Sequence, residues 1–136
     1  MLAHTFHPGD HSFFAIDSPD KQRSAVFEDD GDTGYFYAVE FERSKQKIVD
    51  AVQIYSRKNV VDRERASSLS IIWSRDNMKC AILINDYPHA AFDFQARRGF
   101  CRTNFPNSPD DPRRNWRKSD HAWSDDAIHW LNGDPS

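Results

Sequence analysis

A chain of 136 residues, 38% of them hydrophobic and with a net charge of −3, is long enough to bury its own core. That charge gives no footprint for nucleic acid or for an anionic membrane. Its 13% aromatic content, with 10 Phe and 4 Trp, excludes disorder and puts core volume into a few large rings.

The total charge hides an asymmetry. Residues 1–56 carry 5 basic and 10 acidic side chains, whereas residues 87–120 carry 7 basic and 4 acidic. A dipolar distribution of this kind suits specific protein contacts or internal pairing better than general polyanion binding. No stretch approaches the ~20 apolar residues of a membrane span. The opening MLAHTFHPGD has neither the basic start nor the apolar run of a secretory signal. The expected setting is cytoplasmic, with Cys80 and Cys101 reduced and partly buried.

In chain order, residues 1–10 read as an arm. His11 to Asp17 follows the turn residues Pro8-Gly9-Asp10 as a strand, and Ser24 to Glu28 is a second short one. Tyr35 to Glu42 is the clearest: Tyr35, Tyr37, Val39 and Phe41 share one face, with Glu40 and Glu42 on the other. Ile48 to Tyr55 follows, and the charged residues 57–67 read as a loop.

Leu69 to Ser74 and Met78 to Ile84 are predicted to form a hairpin at Arg75-Asp76-Asn77. Asn85-Asp86 turns into Pro88 to Phe94, and Ala96 to Gly99 turns into Phe100 to Phe105. Residues 106–120, with three prolines, read as a long surface connection. Ser124 can then cap a short helix over 124–132, with Asp125 and Asp126 at its positive end and Asn132-Gly133 as its stop. The fold class expected is α+β, mainly β. It is a single domain over 1–136, an antiparallel meander of six to seven strands packed with a short C-terminal helix.

Chemistry-bearing residues concentrate in one run, MKCAILINDYPHAAFDFQARRGFCRTNFP, residues 78–106. Alternation puts Tyr87, His89, Ala91 and Asp93 on one face, with Phe92 and Phe94 on the other. If Phe94 faces Cys101, Asp93 faces Arg102. His89, Asp93 and Arg102 then make a polar cluster able to hold an anion or relay a proton. The plainer reading is a cross-strand Asp93–Arg102 ion pair beside a solvated His89.

Arg97 and Arg98 at a hairpin tip can grip a phosphate or an acidic partner, or simply blunt a sheet edge. The acidic stretch with Asp29, Asp30 and Asp32 lacks calcium-loop spacing, because Gly31 comes too early. It reads as a solvated turn suited to docking a basic partner. Trp116 and Trp123, with Arg113, Arg114, Arg117 and Lys118 nearby, could stack bases, though clamping the connection onto the sheet is the preferred role. His4, His7 and His11 make a poor zinc set, and Cys101 and His89 point to opposite faces. No nucleophile elbow, P-loop, dinucleotide fingerprint or zinc-protease motif is present. No metal or cofactor is expected.

The strings FEDDGDTGYFYAVE (27–40), SIIWSRDNMKCAILINDYPHAAFDF (70–94) and RRGFCRTNFP (97–106) resemble the uncharacterised bacterial family known as domain of unknown function 2251. The likeness covers about residues 24–106. It implies a bacterial origin and a small single domain, and it assigns no catalytic residue. With no catalytic motif standing, the expected function is non-enzymatic binding of another protein, for instance as an immunity protein that plugs a toxin. The alternatives are a small enzyme or anion binder using His89, Asp93 and Arg102, and a single-stranded nucleic-acid binder. Homo-oligomerisation stays open.

Overall fold

Where apolar residues recur at every second position the chain runs as strands, and Pro, Gly, Asn and Asp mark the reversals. The computed structural model describes residues 3–43, 45–60, 65–103, 116 and 121–132. Its strands are β1 (Ala3–Phe6), β2 (Ser12–Asp17), β3 (Arg23–Asp29), β4 (Thr33–Glu42) and β5 (Lys45–Ser56), then β6 (Ser67–Trp73), β7 (Lys79–Ile84), β8 (Tyr87–Asp93) and β9 (Arg98–Cys101). A single 3-10 turn at Arg57–Asn59 follows β5, and a 3-10 helix at Asp125–Asn132 closes the described chain. The fold is mainly β. The helical element expected after Ser124 is present, but in 3-10 form; the Asp126 N–H donates to Ser124 Oγ at 3.3 Å, as the capping role requires.

All pairings are antiparallel, yet the strands form two sheets rather than one meander. Their orders are β2-β3-β4-β5 and β1-β6-β7-β8-β9. The reason is coverage of apolar faces. Ala25, Phe27, Phe36 and Ala38 on the first sheet are fully buried, and so are Leu69, Cys80, Ile82 and Ala90 on the second. Each face is the other's shelter. Ring contacts join them: Phe36 stacks on Phe92 at 4.9 Å and Phe6 meets Phe27 edge-on at 5.1 Å.

β1, expected to be part of an arm, pairs with β6 from Ala3↔Ser70 to Phe6↔Ser67 and buries Phe6. The face of Tyr37 and Val39 is also buried, in a second cluster with Ala51. Both thiols are free and buried. The connection expected over 106–120 lies outside the described residues except for Trp116. So do Asn104 and Phe105, at the end of the last expected strand.

Bulges turn particular side chains. Register shifts in the β4–β5 pair leave Val49 and Ile54 as extra residues, and a shift between Ile82 and Leu83 leaves His89 as the extra residue of β8. The β7–β8 turn has Asn85 (φ +52) and Asp86 (φ +65) in the left-handed region, as a two-residue type I′ hairpin needs.

Candidate functional site

The β8–β9 hairpin sets the geometry of the site. Asp93 Oδ1 accepts the Ala96 N–H at 3.0 Å, and Arg97 takes a left-handed φ of +57, so the turn is tight and the strand resumes at Arg98. Asp93 therefore faces Arg98, and Phe92 faces Gly99. The Asp93–Arg102 pairing expected from the sequence is overturned. Arg102 lies further along, where its N–H donates to the His89 carbonyl at 3.0 Å. Because the slip is an even number of residues, the face is preserved while the partners change. Across the outer face run Lys79, Asp93 and Arg98, paired in register on β7, β8 and β9.

The C-terminal segment wraps the free edge of β9. The Cys101 N–H donates to the His121 carbonyl at 3.0 Å. The His121 ring turns inward and meets the Asp50 carboxylate of the facing sheet at 2.8 Å, both groups being buried. Gly99 makes this possible, since a Cβ there would lie 2.5 Å from Asp50 Oδ2. Two residues after His121 the chain lies over the outer face. Arg102 Cζ sits 4.0 Å from the Trp123 ring centre and 4.5 Å from that of Tyr87. Its Nε donates to the Pro88 carbonyl at 2.6 Å, and Asp125 lies 3.9 Å from its fork. Asp125 also accepts the Trp123 indole N–H at 2.9 Å.

Between this strap and the sheet opens a cleft of about 540 Å³. Lys79, Asp93, Arg98 and Phe100 line it from the strands; Trp123 and Asp126 line it from the strap. Arg98 lies over the Phe100 ring, its Cζ 5.6 Å from the centre. Beside the Arg102 stack, His89 is half-buried and its Nδ1 has no hydrogen-bond partner among the described residues. Burial, and then the Arg102 charge, hold its pKa below the ordinary value, so the ring is neutral near pH 7.

The other sequence candidates separate. Asp29 is not a solvated docking group: it is 2% exposed, and accepts N–H bonds from Gly9 and Gly31 at 2.8 Å each and the hydroxyl of Tyr55. Asp30 accepts the N–H groups of Asp32 and Thr33, which hold its carboxyl below the usual range. Asp32 stays exposed. Arg97 stands at the exposed turn, apart from Arg98 on the strand.

Trp116 is not available for base stacking. It is 4% exposed and packs edge-on against Phe92 and Phe94 in the core. Burial pushes the Cys80 thiol up, and Cys101 Sγ lies 3.4 Å from the Gln53 carbonyl. Among the described residues no group of three or more His, Cys, Asp or Glu could hold a metal, and no helix is long and apolar enough to cross a membrane. Sequence reasoning missed the Asp50–His121 pair, although a lone carboxylate inside the apolar run IVDAV was a usable signal.

Comparison with known proteins bears out the family resemblance. The model of a family described as "Uncharacterized protein conserved in bacteria (DUF2251)" matches residues 6–131. A Haemophilus influenzae protein, itself named "Uncharacterized protein", is 39% identical over 108 residues. The match covers 79% of this chain and 65% of that relative, so the chain spans less than two thirds of the relative's length. No solved structure matches. On the family match and the relative together, this chain belongs to the DUF2251 family of bacterial proteins.

Proposed function

We propose that this protein works by binding another protein, without chemistry of its own, through the outer face of β7–β9 and the strap that crosses it. The observation that carries the reading is Arg102 held between Tyr87 and Trp123 at the side of an open cleft. Trp, Tyr and Arg are the residues most enriched among those that dominate binding energy, and a guanidinium fixed between two rings has already lost the freedom that binding would cost it. Tyr87 is 53% exposed, an aromatic surface with room for a partner.

The catalytic alternative is weaker. Asp93 faces Arg98 instead of Arg102, and Asp93 already accepts a backbone N–H. Cys80 is sealed in the core. In its sharpest form the proposal is an immunity protein that plugs a toxin made by the same bacterium, an idea that rests on analogy with other small acidic bacterial binders.

The test is affinity capture from a bacterial host, paired with co-expression of the products of adjacent genes. The expected result is a partner that co-purifies with the native chain and is lost with Trp123→Ala, whose circular dichroism stays native; for a toxin, growth is rescued as well. Capture of nothing, with no rescue by any neighbouring pair, overturns the proposal.

A further inference from the structure

We infer that two copies of this chain pair through β2, each adding the other's strand to the edge of its four-stranded sheet. β2 has one neighbour, β3, and runs beside it without a register shift from Ser12↔Asp29 to Asp17↔Ser24. The direction of its backbone groups follows from the turns at either side. The Ser18 N–H donates to the Arg23 carbonyl at 2.8 Å, one pair beyond Asp17↔Ser24. Antiparallel pairs alternate between bonded and non-bonded, so Ile16, Phe14 and Ser12 turn their groups to β3. The Asp30 N–H on the Thr33 carbonyl gives the same parity from the β3–β4 side. Phe13, Ala15 and Asp17 therefore turn their N–H and C=O groups away from β3, where no hydrogen bond from another described residue reaches them. The Trp73 indole on the Ile16 carbonyl and the His4 ring on Phe14 involve the alternate residues, and leave this outward row untouched.

The other three sheet edges among the described residues are guarded. On β9 the Cys101 N–H is taken by the His121 carbonyl of the strap. β5 is bulged, begins with the exposed Lys45 and Lys47, and gives its Gln53 carbonyl to the Thr103 hydroxyl at 2.7 Å. β1 is only 4 residues long. Short strands, bulges and lysines are the usual defences of an edge. β2 carries none of them: it has 6 residues, no bulge, and no Lys, Arg or Pro. Instead it presents Phe13, 65% exposed, with Ala15 and Asp17 exposed beyond it.

A second copy fits this edge because the outward row is self-complementary. Two such strands must oppose outward residue to outward residue, and the antiparallel register centred on Phe14 does so. Phe13 then exchanges its backbone bonds with Ala15 of the second copy, and Ala15 with Phe13 of the second copy. Each large ring lies over a small methyl, a cross-strand pair without a clash. Beyond that methyl, Val26 and Tyr37 continue the same rung into the apolar cluster of the outer face. Asp17 meets His11 of the second copy rather than another carboxylate. Centring the register on Ala15 instead would set both Phe13 rings against Asp17. The pairing is isologous and consumes the edge on which it forms, so it closes at two copies.

The test is sedimentation equilibrium of the full chain, with amide hydrogen exchange followed from low to millimolar concentration. A strand contact of this length lies at the small end of specific interfaces, so a reversible monomer–dimer equilibrium in the micromolar range is expected. The Phe13 and Ala15 amides should gain protection as the dimer fills. A mixture of isotopically labelled and unlabelled chains should show contacts from the Phe13 ring to the Ala15 methyl of the other copy. Phe13→Lys, and separately Ala15→Lys, should weaken association by about tenfold or more, with native circular dichroism and an unchanged urea midpoint. Thr5→Lys, a charge placed on the β1 edge, should leave association unchanged. A chain monomeric at millimolar concentration, a dimer indifferent to both β2 substitutions, or protection that appears on another strand each overturn the assignment. So does a monomeric chain whose captured partner is lost with Phe13→Lys, since the edge then belongs to a different protein.

Discussion

Two charged stretches look alike in the sequence and differ in what the fold has done with them. The acidic turn around Asp29 and Asp30 and the basic face around Arg98 and Arg102 each offer several like charges at a reversal of the chain. At the turn, Asp29 and Asp30 are already used: between them they accept four backbone N–H groups and the Tyr55 hydroxyl. On the basic face, Lys79 and Arg98 stand without ion pairs among the described residues. Charge density does not identify a binding surface; the hydrogen bonds already committed to each charged group do.

The largest effect expected is therefore on the acidic side. Asp29→Ala leaves the Gly9 N–H, the Gly31 N–H and the half-buried Tyr55 hydroxyl without their acceptor. At roughly 1–3 kcal/mol for each buried orphan, partly relieved by water, the loss is about 3 kcal/mol. Urea unfolding should show a clearly lower midpoint, with partner binding per folded molecule unchanged. A native midpoint with lost binding would reverse the roles assigned to the two stretches.

Next comes the anchor that brings the strap to the basic face. Gly99→Ala drives a methyl against Asp50 Oδ2 and towards the rings of His121 and Phe92, all buried. Overpacking at such a point costs about 2 kcal/mol. The same change should weaken partner capture, because Trp123 is two residues from His121. A stable Gly99→Ala protein with intact capture would show that the strap reaches the outer face without its inner anchor. By contrast, Arg98→Gln should alter stability by no more than about 0.5 kcal/mol, as for other exposed substitutions. It should still lower partner affinity, measured by calorimetry once the partner is in hand.

Much of the framework was legible because it rests on local rules. The alternation of β4, the Arg75-Asp76-Asn77 and Asn85-Asp86 turns and the Ser124 cap are short-range features, and each appears as its residues require. Non-local features were not legible. Ala3–Phe6 is too short and polar for a pattern, and becomes a strand only because β6 is there to pair with it. The division into two sheets depends on which apolar faces cover each other. The site shows the same limit at finer scale. Parity put Asp93 and Arg102 on one face, but the length of one turn decided that Asp93 would meet Arg98. Trp123 comes to Arg102 across 21 positions, a distance at which no periodicity speaks.

The smallest effect expected is also the most direct probe of the basic face. His89 is the extra residue of the β8 bulge, half-buried, with the Arg102 charge beside it. Burial is the larger cause and Arg102 the smaller, and both favour the neutral ring, so its folded pKa lies below the ordinary 6.5. The folded state then binds fewer protons than the unfolded chain between those two values. The His89 contribution to stability is complete above pH 6.5 and is lost as the pH falls through the folded value. A histidine NMR titration should show one ring shifted to lower pH, assigned by its loss in His89→Gln. Arg102→Gln should move that titration part of the way back up while leaving it below 6.5, because the stronger cause remains. A His89 that titrates at 6.5 in the native chain would mean that water reaches the ring beside the Tyr87–Arg102–Trp123 stack. The basic face would then be a solvated surface like the exposed Asp32 side chain, and the contrast between the two stretches would shrink to a difference of sign.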